Sequence, residues 1–305
     1  MHKKIMYMLL SASVVSSFWL SADDHSHNVA PVAVQQPYTI NSPHGDRQDP
    51  YYWLRDDSRT SPTVLDYLHR ENDYFTAYAD AYQPLTEKLT DEIIGRIKQD
   101  DSSVPYTRGD YSYYSRYETG KEYPIYARKS LKDGTEQIML DVNKLAAGKD
   151  YYRVANWQIS PDQNLLAYLE DSSGRRQYTL KVRDLRTGQN VPDELTGLSG
   201  SLAWAADNQT LYVVQNDPVT LLSTTVLQHK LGNKATAAKA VYQEPDNSFY
   251  LSLANSRDDK YVVIKSESTV STEIRVQPGN QPQTEFKVLA PRQRDFQYDA
   301  EHYQG

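Results

Sequence analysis

The chain has 305 residues, enough for two domains and a sizeable buried core. Its net charge of -7 argues against a nucleic-acid role, since binding a phosphate backbone needs a basic face. Cys is absent, which excludes disulfides, thiolate metal sites and a cysteine nucleophile, while 25 Tyr against 5 Phe favour strands with one edge near water.

The first predicted element is a leader. Met1-His2-Lys3-Lys4 is basic, residues 5–20 are mostly apolar but interrupted by Ser, and Leu20-Ser21-Ala22 ends in a small residue before Asp23-Asp24. This pattern predicts a signal peptide over residues 1–22, cleaved after Ala22. The run is short and polar against the roughly 20 apolar residues of a spanning helix, which disfavours the alternative of an uncleaved anchor. The expected location is periplasmic or secreted, with no membrane association after cleavage. Residues 23–36 read as an unstructured lead-in. A mature start at Asp23-Asp24-His25 would bring an amine, two amides and an imidazole together, a square-planar set suited to Cu(II) or Ni(II). The simpler and favoured reading of the same residues is a plain acidic tail. No metal site and no cofactor is assigned.

Residues 37–100 form a predicted helical segment. Asp49-Pro50-Tyr51-Tyr52-Trp53-Leu54-Arg55-Asp56-Asp57 is a Pro-anchored turn with three aromatics, suited to packing on something larger. Ser61-Pro62 opens a helix, and Val64, Leu65, Leu68, Tyr74, Phe75 and Tyr78 recur at helical spacing as far as residue 82. A second helix is expected over residues 85–98, with Leu85, Leu89, Ile93, Ile94 and Ile97 as its stripe. Both stripes are expected to be buried core.

From residue 101 the pattern changes to short strands between Gly, Asp, Asn and Pro turns. Strands are predicted over residues 111–117, 123–129 and 137–141. An internal repeat then appears. Ser160-Pro161-Asp162 opens a strand at Leu165-Leu166-Ala167-Tyr168; Ala205-Ala206-Asp207 opens Leu211-Tyr212-Val213-Val214; Ser256-Arg257-Asp258 opens Tyr261-Val262-Val263-Ile264. Turns repeating every 40–50 residues, with about four short strands per unit, indicate propeller blades. The expected fold class is therefore mainly β: an incomplete propeller over residues 101–305, preceded by helices. Its four blades are placed at residues 104–145, 150–195, 198–243 and 246–290, with the first strand of a next blade at 296–303.

Several of these strings carry a resemblance. The Asp49–Asp57 cluster with Val64-Leu65-Asp66-Tyr67-Leu68 and Glu71-Asn72 resembles the opening of prolyl oligopeptidase-family enzymes. Glu170-Asp171, Gly174-Arg175-Arg176-Gln177-Tyr178, Arg183-Asp184-Leu185-Arg186-Thr187-Gly188, Asp217-Pro218-Val219-Thr220-Leu221-Leu222 and Ser248-Phe249-Tyr250-Leu251 are similar to oligopeptidase B more narrowly. So is the stretch from Leu289-Ala290-Pro291-Arg292 to Glu301-His302-Tyr303. The resemblance implies a serine peptidase with a seven-bladed propeller gating an α/β-hydrolase domain. A Ser-Asp-His triad in that domain would cleave short peptides after Arg or Lys. The N-terminal helices would dock on the hydrolase domain, which is the implied partner along with short basic peptides. By this reading the chain supplies the helices and part of the propeller, carries no catalytic residue and is by itself inactive. The alternative is a non-catalytic propeller used for binding or assembly.

The sequence contains no Gly-x-Ser-x-Gly elbow, His-Glu-x-x-His motif, EF-hand loop or P-loop. The nearest string, Gly197-Leu198-Ser199-Gly200-Ser201, has Ser in place of the second Gly and falls between blades. His44, His69, His229 and His302 have no matched acid and nucleophile nearby in sequence, and each reads as a surface or hydrogen-bonded His. Glu170-Asp171 and Arg175-Arg176 flank one loop, either as a charged latch toward the hydrolase domain or as exposed ion pairs of little energetic weight.

Overall fold

The computed structural model describes residues 29–305. The predicted leader and Asp23-Asp24-His25 lie outside the described residues. The chain divides into two compact units, one ending at Ile97 and one spanning Lys98–Gly305.

In the first unit, β1 (Thr39–Ile40) and β2 (Arg47–Gln48) form a two-stranded ladder. Beyond it the aromatic cluster folds on itself: Tyr38 stacks on Tyr52 with centroids 4.0 Å apart, and Trp53 meets Tyr67 edge-on at 5.9 Å. The end of the lead-in is tied to this cluster, with Trp53 Nε1 donating to Val34 O at 2.7 Å and Gln36 N to Pro50 O at 2.8 Å. Asp56 fixes the approach to the first helix by accepting from the backbone N–H groups of Ser58, Thr60 and Ser61 and from the Ser58 hydroxyl. The Ser58 hydroxyl, then these backbone donors, hold its carboxyl down at about 2.

Helix α1 (Pro62–Ala79) and helix α2 (Gln83–Arg96) are joined by a single tight turn, Asp80–Tyr82. The first helix ends before the expected residue 82 because its last turn tightens. The second starts earlier than expected because Pro84 sits in its first turn, where a missing N–H costs nothing. The expectation of two buried stripes is corrected. Val64 is buried, but Leu68, Phe75, Tyr78, Leu85, Leu89, Ile93 and Ile94 are exposed, because among the described residues no second layer of their own unit covers them.

The second unit contains four blades. Strands β3 (Tyr106–Arg108), β4 (Tyr111–Arg116), β5 (Ile125–Ser130) and β6 (Glu136–Asp141) make the first antiparallel sheet. The short helix α3 (Val142–Ala146) follows, capped where Asp141 Oδ1 accepts from Lys144 N. The last blade comprises β14 (Tyr250–Asn255), β15 (Tyr261–Glu267), β16 (Thr272–Pro278) and β17 (Lys287–Ala290). The two middle blades share one seven-stranded sheet: β7 (Arg153–Ile159), β8 (Leu165–Asp171), β9 (Tyr178–Asp184), β10 (Gln189–Trp204), β11 (Thr210–Asn216), β12 (Ser223–Lys230) and β13 (Lys239–Gln243). Strand β10 is 16 residues long. Its first part pairs with β9 as the outer strand of one blade, and its second part pairs with β11 as the inner strand of the next. The expected boundary between residues 195 and 198 thus falls inside a continuous strand.

The repeated Asp builds the same turn each time. Gln163, Asn208 and Asp259, each following it, adopt φ of 63, 58 and 57 degrees. Left-handed backbone is costly for a side-chain-bearing residue, and polar residues pay least by bonding locally. The carboxylates of Asp162, Asp207 and Asp258 accept from groups just downstream, such as Gln209 N and Thr210 N at Asp207.

Side chains alternate along a strand, so a blade between two others buries both faces. On β8, Leu166 and Tyr168 pack with Tyr113, Met139 and Leu140 of the first blade, while Ala167 and Leu169 pack with Leu202, Trp204 and Leu211 on the other side. On β11, Leu211 and Val213 face that same core, and Tyr212 and Val214 face Leu251, Leu253, Val262 and Ile264 of the last blade. Three cores therefore lie between four blades. Side chains also tie the inner strands together: Asn156 Nδ2 donates to Gly200 O, and Asn255 both donates to Trp204 O and accepts from Trp204 N.

The strand expected at residues 296–303 is not formed. That segment is fastened to the last blade mainly through side chains instead of a ladder. Tyr298 hydroxyl accepts from Ile274 N, Glu301 accepts from Arg257 N, and one backbone bond joins Thr272 N to Phe296 O.

Candidate functional site

The β8–β9 loop is organised around one carboxylate. Asp171 ends β8 and is buried, yet it forms no salt bridge with Arg175 or Arg176. Its carboxylate accepts from Ser173 N, Ser173 Oγ, Gly174 N and Arg176 N, at 2.7 to 3.2 Å. Burial opposes its charge, but the donors of Ser173, Arg176 and Gly174 prevail and keep the carboxyl below its ordinary range. Glu170 accepts from the Tyr152 hydroxyl at 2.5 Å. Gly174 lies against the Tyr151 ring, where an added Cβ would sit 3.7 Å from it, and Arg176 is left-handed at φ 56 degrees. The acidic pair therefore shapes the loop from beneath, and the two guanidinium groups are left exposed without ion-pair partners among the described residues. Neither sequence reading of this quartet foresaw that division of labour.

Ladder register completes the site. Arg153 is directly opposite Asp171 on β7, which brings a third guanidinium to the same edge. Strand β10 arrives there through a bulge between Leu198 and Leu202, and this bulge holds Ser199 and Gly200. Ser199 is thus in a strand rather than at a strand-to-helix elbow. Among the described residues its buried Oγ has no hydrogen-bond partner, and neither has Gln177 Nε2. Arg153, Arg175, Arg176, Gln177, Ser199 and Asn216 line an open cavity of about 550 Å³, closed at its rim by Leu221 and Tyr250. The lining offers donors from several directions and no unengaged carboxylate.

The inner strands frame a second space of about 600 Å³, lined by Tyr106, Arg108, Trp157, Asn255, Arg257 and Asp259. Arg108 Nη2 reaches Asp259 Oδ2 at 2.8 Å, linking the first blade to the last.

Two histidines have acids that sequence proximity did not reveal. His229 Nε2 lies 2.9 Å from Asp193 Oδ1, which also accepts from Gly232 N at 2.8 Å, and both side chains are buried. His229 Nδ1 has no hydrogen-bond partner among the described residues. His302 Nδ1 lies 3.0 Å from Asp258 Oδ2 and packs edge-on against Tyr261. His44 and His69 are exposed. The residues of each acid–His pair are far apart in sequence, so only strand pairing or the fastened C-terminal segment brings them together. Among the described residues, no group of three or more His, Asp or Glu is placed to hold a metal, and no helix is long and apolar enough to cross a membrane.

The model of the prolyl oligopeptidase N-terminal β-propeller domain matches residues 31–305. The chain belongs to the prolyl oligopeptidase family. Dipeptidyl aminopeptidase BI of Pseudoxanthomonas mexicana is 44% identical over 97% of this chain and 43% of its own length. Protease 2 of Moraxella lacunata is 31% identical over 90% of the chain and 40% of its own. Among solved structures, oligopeptidase B from Leishmania major superposes with a TM-score of 0.84 at 28% identity, covering 90% of this chain and 41% of that one. The chain thus spans about two fifths of these family members, and what it matches is their propeller portion.

Proposed function

We propose that this chain is the propeller portion of an exported serine peptidase of the oligopeptidase B type, acting on short peptides after Arg or Lys. The similarity over 90% of the chain to the propeller portion of oligopeptidase B carries this reading. On it, a hydrolase domain holds a Ser nucleophile, a His base and an Asp that orients the base, and chemistry is acyl transfer through that triad. The blades restrict access, and the exposed apolar stripes of α1 and α2 are covered by the hydrolase domain. Export rests on the basic and apolar leader pattern of residues 1–22.

The name of the relative at 44% identity favours a second reading, removal of dipeptides from a free N-terminus. One experiment addresses both. The full-length protein is assayed on Arg-coumarin peptides with free and with blocked N-termini, with and without a serine-directed fluorophosphonate. Inhibitable cleavage of the blocked substrate is expected; cleavage confined to free N-termini selects the second reading. No inhibitable cleavage of either would overturn the peptidase reading. Residues 23–305 alone are expected to be inactive in the same assay.

A further inference from the structure

We infer that the cavity between the β8–β9 loop and the β10 bulge is a carboxylate-binding subsite for peptides. Three guanidinium groups, those of Arg153, Arg175 and Arg176, line it, and none forms a salt bridge among the described residues. Clustered like charges repel one another, so leaving them unpaired costs stability unless an anion occupies the space. The acids that could have neutralised them are committed elsewhere: Asp171 to the loop's own donors, Glu170 to Tyr152 and Asp217 to Val219 N and Thr220 N. Two further lining residues, Gln177 and Ser199, each carry a buried polar atom, Nε2 and Oγ, that has no hydrogen-bond partner among the described residues. A buried donor without a partner is costly, and turning either side chain toward the cavity would let an anion's oxygens satisfy it.

A planar carboxylate suits this lining because guanidinium groups bind it in two-point fashion and amide and hydroxyl donors complete its shell. The hydrogen bonds to Asp171 already hold the loop's backbone, so little ordering cost attends binding. The carboxylate comes from a peptide's C-terminus or from an Asp or Glu side chain; that it belongs to a peptide rests on the peptidase reading above.

The test is calorimetric binding to the full-length protein of three probes: N-acetyl tetra-alanine as the free acid, the same peptide as its C-terminal amide, and an amidated version with Asp at the third position. The free acid is expected to bind about tenfold or more tightly than the neutral amide. Equal binding by the Asp-containing amide assigns the site to any peptide carboxylate, and weak binding assigns it to the C-terminus; both support the inference. In R175Q/R176Q, and separately in R153Q, the preference for acid over amide is expected to shrink toward unity. Among the described residues none of the three side chains forms an ion pair and their mutual repulsion is relieved by substitution, so the thermal midpoint should not fall, which separates lost binding from lost folding. Equal affinity for acid and neutral amide, or a preference that survives the Arg substitutions, overturns the inference. Because binding is read without turnover, acid preference in a protein that cleaves nothing keeps the subsite and removes the peptidase reading. Cleavage without acid preference does the reverse.

Discussion

Arg292 shows how much one side chain can hold in a blade. It donates to both oxygens of Glu244, at 3.1 and 2.7 Å, its backbone N–H donates to Glu273, and its guanidinium lies 3.8 Å over the Phe249 ring. The Glu244 side chain is only 1% exposed. Burial opposes its charge, but the Arg292 fork outweighs this and keeps the carboxyl below its ordinary range. Removing one member of such a pair leaves an uncompensated buried charge. R292M is therefore expected to lower unfolding free energy by about 3 kcal/mol. The added change E244Q, which removes the stranded charge, should restore part of that loss. Urea denaturation of the single and double variants checks both. Sequence reading placed Arg292 only in a family-like string, since neither acid partner is near it in the chain.

At the scale of elements, the recurring Asp turn was the most legible feature, because each copy needs the same carboxylate in the same place. Asp207 bonds Gln209 N, Thr210 N and the hydroxyl of buried Thr210, so D207A is expected to cost about 1–2 kcal/mol, measurable as a lower urea midpoint at unchanged slope. The apolar runs Leu165–Tyr168 and Leu211–Val214 read correctly as strands. The shared strand β10 was hidden because Pro192, Asp193 and Gly197 look like breakers, whereas the ladder passes through them with register shifts between Asn190 and Glu194 and between Leu195 and Leu198. The arginine cavity was hidden for a different reason. Arg175 and Arg176 were visible as a pair, but Arg153 joins them only through the register of β7 on β8. The freedom of all three depends on Asp171 spending its lone pairs on backbone. The helical stripes were read as core because periodicity reports one apolar face and not what covers it.

At the scale of the whole molecule, many turns and ties rest on ionised carboxylates. Those of Asp56 and Asp184 are held at about 2 against an ordinary 3.8, by the Ser58 hydroxyl in one case and the Arg186 guanidinium in the other. A depressed folded-state value contributes stability above the unfolded value, and that contribution is lost as pH falls through the folded one. Stability is thus expected to vary little with these groups from neutral pH to about 4 and to decline between about 4 and 2. Circular dichroism melts across that range check this; a decline complete above pH 5 would contradict it.

The long strand β10 has one more consequence. Because side chains alternate, a residue gained or lost in a strand exchanges its inward and outward sets, and here one strand sets that parity for two blades at once. The bulge between Leu198 and Leu202 is where the two halves are uncoupled in phase. Natural length variation in this stretch should therefore collect at the bulge, the same few residues that form one wall of the arginine cavity, so the shape of that wall can drift while the two blades it joins stay in step.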